Sequence, residues 1–216
     1  MKCSSTIIFR ITNGITSQRR NLSLRTFRTT SAITPKEKNA APCMVVFCEF
    51  EQQFEIIQKA KEYGFMNYMN LVFRKNFSAQ VLKANMRPVG NAEYGLVLYR
   101  DKLPKFRNHG KMIFNVVDWE KDGPEVPKLH PTQKPVRLLQ KLIYMFTDEG
   151  DVVIDPVAGS GATLVAATAL NRKAYGFEIK KDFHKQASEW IAEAGAQSGL
   201  FVKERRTRPQ QEGLAI

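Results

Sequence analysis

The stretch Asp151-Val-Val-Ile-Asp-Pro-Val-Ala-Gly-Ser-Gly-Ala-Thr163 constrains this chain more than any other. Val152, Val153 and Ile154 form a short apolar run of buried-strand type, and Gly159-Ser-Gly161 interrupts it before Ala162–Leu170 resumes as a helix. That pattern is a strand, a tight turn and a helix. Glycines accept positive φ and carry no Cβ, so a flat or charged ligand can lie against main-chain N–H groups at such a turn. Lys173-Ala-Tyr-Gly-Phe177 reads as a second strand, and it ends in Glu178, whose carboxylate can accept both hydrogen bonds of a ribose diol. A nucleoside cofactor fits this arrangement.

Other ligands fit less well. Gly161 is followed by Ala162-Thr163 where a phosphate-cradling loop would need a Lys-Ser/Thr pair, which argues against an NTPase, and the three-glycine dinucleotide fingerprint is incomplete. A turn that merely lets a helix pack closely on a strand stays open beside the cofactor reading.

Two motifs together resemble a known family. Asp155-Pro-Val-Ala-Gly-Ser-Gly-Ala-Thr163 is similar to the S-adenosylmethionine motif of DNA amino-methyltransferases, usually Asp-Pro-Phe-x-Gly-Ser-Gly-Thr. His130-Pro-Thr-Gln-Lys-Pro135 resembles the segment that precedes that motif in the β-ordered group, the bacterial and phage methylases of adenine N6 and cytosine N4. The resemblance spans roughly residues 43–195. It implies an α/β, Rossmann-like methyltransferase fold with a mostly parallel sheet and helices on both faces. The expected layout is a basic arm over residues 1–40 with a degenerate catalytic motif, a methyltransferase domain over 41–200 and a polar tail over 201–216. Residues 101–129 would form a short target-recognition insert.

The same resemblance assigns roles. S-adenosylmethionine is the implied cofactor, held by Asp155, Val157, Gly159, Gly161, Thr163 and Glu178, with Val157 in place of the usual Phe altering how adenine packs. Thr132 and Lys134 lie at or before a helix N-terminus, where N–H groups and the ammonium suit the carboxylate of the methionine moiety. Thr132 as a plain N-cap is compatible with that role. Ile7-Ile-Phe9 and Gly14-Ile-Thr16 resemble the strand and loop around the catalytic tetrapeptide, normally Asp-Pro-Pro-Tyr, yet the slot reads Arg10-Ile-Thr-Asn13. In the family this tetrapeptide accepts hydrogen bonds from the exocyclic amine and stacks on the extruded base. Arg10 offers only donors there and Asn13 a smaller surface, so activity is in doubt. A non-catalytic remnant or DNA-binding partner that keeps the fold, or a methyltransferase acting on RNA or protein, are the alternatives.

Charge and length agree with a nucleic-acid partner. The chain has 216 residues and a net charge of +12, enough for one domain with a sizeable core and a polyanionic partner. Lys2, Arg10, Arg19, Arg20, Arg25, Arg28 and Lys36 precede the first acid, Glu37; without these seven, residues 37–216 carry only +5. The basic arm reads as a solvated arm that could touch nucleic acid, with a transit peptide as the less favoured reading. Lys83 and Arg87 lie in the polar link Arg74–Asn91, while Lys105, Arg107 and Lys111 lie in the insert, interleaved with Phe106, Phe114 and Trp119. These side chains suit phosphate contact and base stacking, with a solvated surface loop as the plainer reading. No run of eighteen apolar residues is present, and Cys3, Cys43 and Cys48 lack metal-ligand spacing, so the expectation is a cytoplasmic protein without metal or membrane partner. A homodimer stays open.

Periodicity supplies the remaining elements. Met44–Phe47, Tyr68–Phe73 and Tyr94–Tyr99 read as strands, and Phe50–Tyr63 as a helix with Phe50, Phe54, Ile57 and Ala60 inward. Pro135 begins a helix buried through Val136, Leu139, Ile143 and Phe146. Asp182–Ala194 forms the last helix, with Phe183, Ala187, Trp190 and Ile191 inward and Gly195 at its end.

Overall fold

The computed structural model describes residues 41–78, 80–130 and 132–205. The slot at Arg10 and Asn13, the rest of the basic arm and the tail beyond Arg205 lie outside the described residues. The apolar runs become strands β1 (Cys43–Cys48), β2 (Asn67–Lys75), β3 (Ala92–Tyr99) and β4 (Val116–Trp119), arranged in the order β1-β3-β2-β4. Strand β3 runs antiparallel to both neighbours, and β4 pairs parallel with β2 from Val72 opposite Val116. Hence β1, β2 and β4 share one direction and β3 alone is reversed. A βαβ unit completes the domain: β5 (Val152–Asp155) pairs parallel with β6 (Lys173–Gly176).

Strand β1 explains the layering. All its residues are buried, and successive side chains point to opposite faces. Val45 and Phe47 join Phe73, Val97, Val153 and a helix α2 (Val136–Phe146) on one side. Met44 and Val46 meet Leu96, Leu98, Phe65, Val152 and Ala60 of helix α1 (Gln53–Glu62) on the other. A strand covered on both faces needs no polar alternation, which is why it reads as continuous hydrophobic sequence. The α/β architecture with helices on both faces follows, completed by α3 (Ala162–Ala169) and α4 (Lys181–Arg205).

Three expectations change. Phe50 and Phe54 are 70% and 72% exposed, because the residues of this segment that reach the sheet are Ile56, Ile57, Ala60 and Tyr63; Phe50 instead lies against the Tyr94 ring. Helix α4 does not stop at Gly195 but continues to Arg205, since an interior glycine costs only about 1 kcal/mol of helix propensity. Its Ala187, Trp190, Ile191 and Ala194 do face the core or its border. Trp119 belongs to β4 and is buried edge-on to Phe73, not exposed on the insert.

A buried Arg172 ties together two helices of the same layer. Its Nε donates to the Thr147 hydroxyl at 2.9 Å, Nη2 to the Thr147 carbonyl at 2.8 Å and Nη1 to the Leu170 carbonyl at 2.5 Å. The ends of α2 and α3 therefore share one guanidinium. Arg172→Ala is expected to cost about 2–4 kcal/mol in urea unfolding, because it orphans buried acceptors as well as removing charged hydrogen bonds.

Candidate functional site

Between β5 and α3 the chain forms the glycine turn that the sequence places there. Asp155, fully buried at the end of β5, accepts the Val157 N–H at 3.0 Å and a hydrogen bond from Thr163. Burial pushes its carboxyl up to about 6 against those two hydrogen bonds, and the negative charge of Glu178 adds to the rise. The Ala158 N–H reaches the Phe177 carbonyl at 2.9 Å, and the Phe177 N–H reaches the Asp155 carbonyl at 3.0 Å. These bonds lock the turn onto the end of β6.

Glu178 closes the arrangement. One carboxylate oxygen accepts the Gly159 N–H at 3.0 Å and the other accepts the Lys180 N–H at 2.9 Å. The Gly161 N–H goes to the Ala158 carbonyl at 2.8 Å. The expectation that a ligand would lie against the N–H groups of Val157, Ala158, Gly159 and Gly161 is therefore corrected: these donors already have acceptors within the protein. What faces outward is the half-buried Glu178 carboxylate and apolar surface beside it. Phe177 and the 97%-exposed Ile179 flank Glu178, and exposed Val157 precedes the Ala158–Phe177 bond. Neither Phe177 nor Ile179 stood out in sequence, although an apolar residue on each side of a lone acid at a strand end is a readable signal.

The two glycines do different work. Gly161 has φ of +82°, and a Cβ there would come within 3.1 Å of Ala187 and Ile191 on α4. Close helix packing accounts for a glycine at this position. Gly159 has φ of +54°, and an added Cβ would meet nothing nearer than His130 and the Val157 carbonyl at 3.9 Å. A Cβ at Gly159 would make only ordinary van der Waals contact, so its positive φ is what calls for glycine.

The segment from His130 to Pro135 links this turn to a neighbouring cleft. His130 Nδ1 accepts the Thr132 N–H at 3.2 Å and lies 3.0 Å from the Thr132 hydroxyl, while its ring meets Phe183 edge-on. Thr132 is thus held by His130 and is not the cap of α2, which begins at Val136 after Pro135. Asp122, unremarked in the sequence, performs that task across the insert by accepting the Val136 N–H at 2.8 Å and the Arg137 N–H at 3.4 Å. Lys134 is buried, with its ammonium 2.7 Å from Glu93 and over the rings of Phe47 and Trp119. Lys75 bonds the other oxygen of Glu93. Burial pushes the Glu93 carboxyl up, but Lys134 and Lys75 hold it below the usual carboxylate range. The donors expected to bind a methionine carboxylate are therefore engaged by Asp122 and Glu93. Lys75, Phe77, Glu93, Trp119, Thr132 and Lys134 line part of a cleft of about 570 Å³.

The basic residues divide into two groups. Lys105 and Arg107 both pair with Asp148, at 2.6 and 2.5 Å, and Arg107 stacks on Tyr144, so they fasten the insert to the domain. Lys83, Arg87 and Lys111 are exposed. Among the described residues no group of three His, Cys, Asp or Glu side chains could hold a metal ion, and no helix is long and apolar enough to cross a membrane.

Comparison with known proteins places this geometry. The N6/N4 DNA methylase family matches residues 2–189. The chain belongs to that family. DNA adenine methyltransferase YhdJ of Escherichia coli K12 is 34% identical over 167 residues, covering 70% of this chain and 54% of YhdJ. The type II methyltransferase M2.LlaDCHI of Lactococcus lactis is 37% identical over 47% of this chain and 38% of its own length. The chain thus spans about half or less of these two relatives. Among solved structures, the M1.HpyAVI–S-adenosylmethionine complex superposes with a TM-score of 0.61 at 26% identity, covering 76% of this chain and 78% of the other. TTHA0409 of Thermus thermophilus, at 19% identity and a TM-score of 0.55 over 79% of this chain and 75% of its own, shares the fold. The α/β, Rossmann-like methyltransferase fold is the fold of this methylase-family chain.

The buried Asp155 gives the family member a pH signature. Its carboxyl titrates at about 6 in the fold against 3.8 ordinarily, so ionisation opposes folding. That opposition is absent below about 4, grows as pH rises between the two values and is complete above about 6. Asp155→Asn is expected to remove it, so urea midpoints of variant and wild type should diverge in the variant's favour from pH 4 to pH 7. Parallel profiles would show that Asp155 does not titrate in this window.

Proposed function

We propose that this chain binds S-adenosylmethionine beside Gly159 and Glu178, and that it serves methyl transfer to the exocyclic amine of adenine or cytosine in DNA. The observation carrying this reading is the Glu178 carboxylate, held by the Gly159 and Lys180 N–H groups at the end of β6 with lone pairs left over. A ribose diol is the natural donor pair for a carboxylate so fixed, and Val157, Phe177 and Ile179 offer apolar surface to a base. Without a Cβ at Gly159 a nucleoside can come close to the backbone there, which a side chain at that position would prevent. S-adenosylmethionine, when bound, supplies an electrophilic methyl group. The protein's part is to seat the donor, exclude water and orient the acceptor base. The cleft lined by Phe77, Thr132 and Lys134 is the space into which that base would turn. S-adenosylmethionine appears with M1.HpyAVI, and YhdJ is named an adenine methyltransferase, which supports both halves of the reading. The setting is cytoplasmic, without a metal.

The unusual Arg10 and Asn13 favour a second reading, a cofactor-binding partner that no longer transfers methyl groups. Label transfer separates the two. With S-adenosylmethionine carrying a radioactive methyl group and unmethylated bacterial DNA, counts in DNA that vanish in Glu178→Ala support the enzyme; cofactor binding without counts supports the partner.

Cofactor affinity tests the site itself. Glu178→Ala is expected to weaken S-adenosylmethionine binding by about 1–3 kcal/mol in calorimetry. Gly159→Val, which puts a branched side chain at positive φ beside the turn, is expected to abolish it. Unchanged affinity in both variants would refute the assignment.

A further inference from the structure

The connection between β2 and β3 presents apolar side chains to water in an unusual way. Leu82 is 94% exposed and Met86 84% exposed, and they alternate with the exposed basic residues Lys83 and Arg87. No acidic residue occurs from Asn76 to Asn91. This loop has internal order. The Ser78 hydroxyl donates to the Gly90 carbonyl at 2.8 Å, Arg87 donates to the Gln80 side chain at 3.2 Å, and the Met86 N–H reaches the Lys83 carbonyl at 3.0 Å. Paired bonds between Lys75 and Asn91, at 2.7 and 3.2 Å, fasten its base. An ordered loop therefore holds Leu82 and Met86 away from the core, at a continuing cost in solvation.

Its position suggests what offsets that cost. The loop springs from the rim of the 570 Å³ cleft, since Lys75, Phe77 and Glu93 at its two roots all line the cleft wall. A nucleotide turned out of a duplex leaves a gap in the base stack, and an apolar side chain entering the gap recovers part of the lost stacking. Lys83 and Arg87 would meet the phosphates on either side of it. We propose that Leu82 and Met86 form an apolar wedge that enters the DNA stack where a base is extruded, a role that rests on the DNA reading above. The absence of acids from the loop makes a polyanion the complementary partner.

Binding of the full chain to three mixed-sequence duplexes, measured by fluorescence anisotropy, tests the wedge without knowledge of a target site. One duplex is fully paired, one carries a central mismatch and one a central abasic position. Wild type is expected to bind the abasic duplex about tenfold more tightly than the paired one, because the unstacking is already done. Leu82→Ala with Met86→Ala is expected to lose that preference while keeping the slope of log affinity against log salt. Lys83→Ala with Arg87→Ala is expected to reduce the slope by about two. Equal wild-type affinity for paired and abasic duplexes, or a preference that survives in the Leu82/Met86 variant, would overturn the wedge. Loss of all DNA binding with S-adenosylmethionine binding intact would overturn the DNA reading together with the wedge, and would leave a protein partner as the loop's occupant. DNA binding with the expected preference but no cofactor binding would overturn the cofactor site alone.

Discussion

A carboxyl group buried at the end of β5 sets the shape of everything around it. Asp155 takes the Val157 N–H and a bond from Thr163, which turns the chain back at once and starts α3. The same turn then attaches to β6 through Ala158 and Phe177, and to Glu178 through Gly159. Each link depends on the one before it. The βαβ unit is therefore organised from a polar junction at its edge as well as from the apolar core behind it, and Asp155 tolerates a perturbed ionisation as the cost of its position.

Elements whose signal is local were readable in the chain alone. β1, β5 and the glycine turn could be placed because buried strands read as apolar runs and a Gly-x-Gly break ends them. Glu178 was legible because a lone acid closes a strand that contains no other acid. Features that depend on distant partners were not. Nothing near Pro135 indicates that Asp122 would cap α2, and nothing near Lys134 indicates that Glu93, on another strand, would hold its ammonium. Spacing likewise overstated the inner face of α1, since periodicity shows which residues share a face but not how much of that face the sheet reaches. Phe50 and Phe54 share the spacing of Ile57 and Ala60 yet lie outside the core, and the helix continues through Gly195.

The two glycines illustrate how one motif can combine unrelated demands. Gly161 is required by the approach of α4, where even a methyl group would press on Ala187 and Ile191. Gly159 is required by backbone conformation, its φ being +54°. The packing explanation of a glycine turn, which competes with the ligand explanation when only sequence is available, holds at Gly161, and the ligand explanation belongs to the proposed function at Gly159.

The distribution of ion pairs changes what the chain's positive charge means for its surroundings. Glu93 engages Lys75 and Lys134, and Asp148 engages Lys105 and Arg107. Four cations that composition would assign to a polyanion are thereby neutralised in part by the protein's own carboxylates. Seven cations precede the first acid and residues 37–216 keep a net charge of only +5, so the domain itself would draw a polyanion, the partner proposed above, less strongly than the formal charge of the whole chain implies. The cleft, where Lys75, Lys121, Lys128 and Lys134 stand against Glu49, Glu93 and Asp122, is nearly balanced in charge, so under the proposed function it would discriminate by shape more than by attraction.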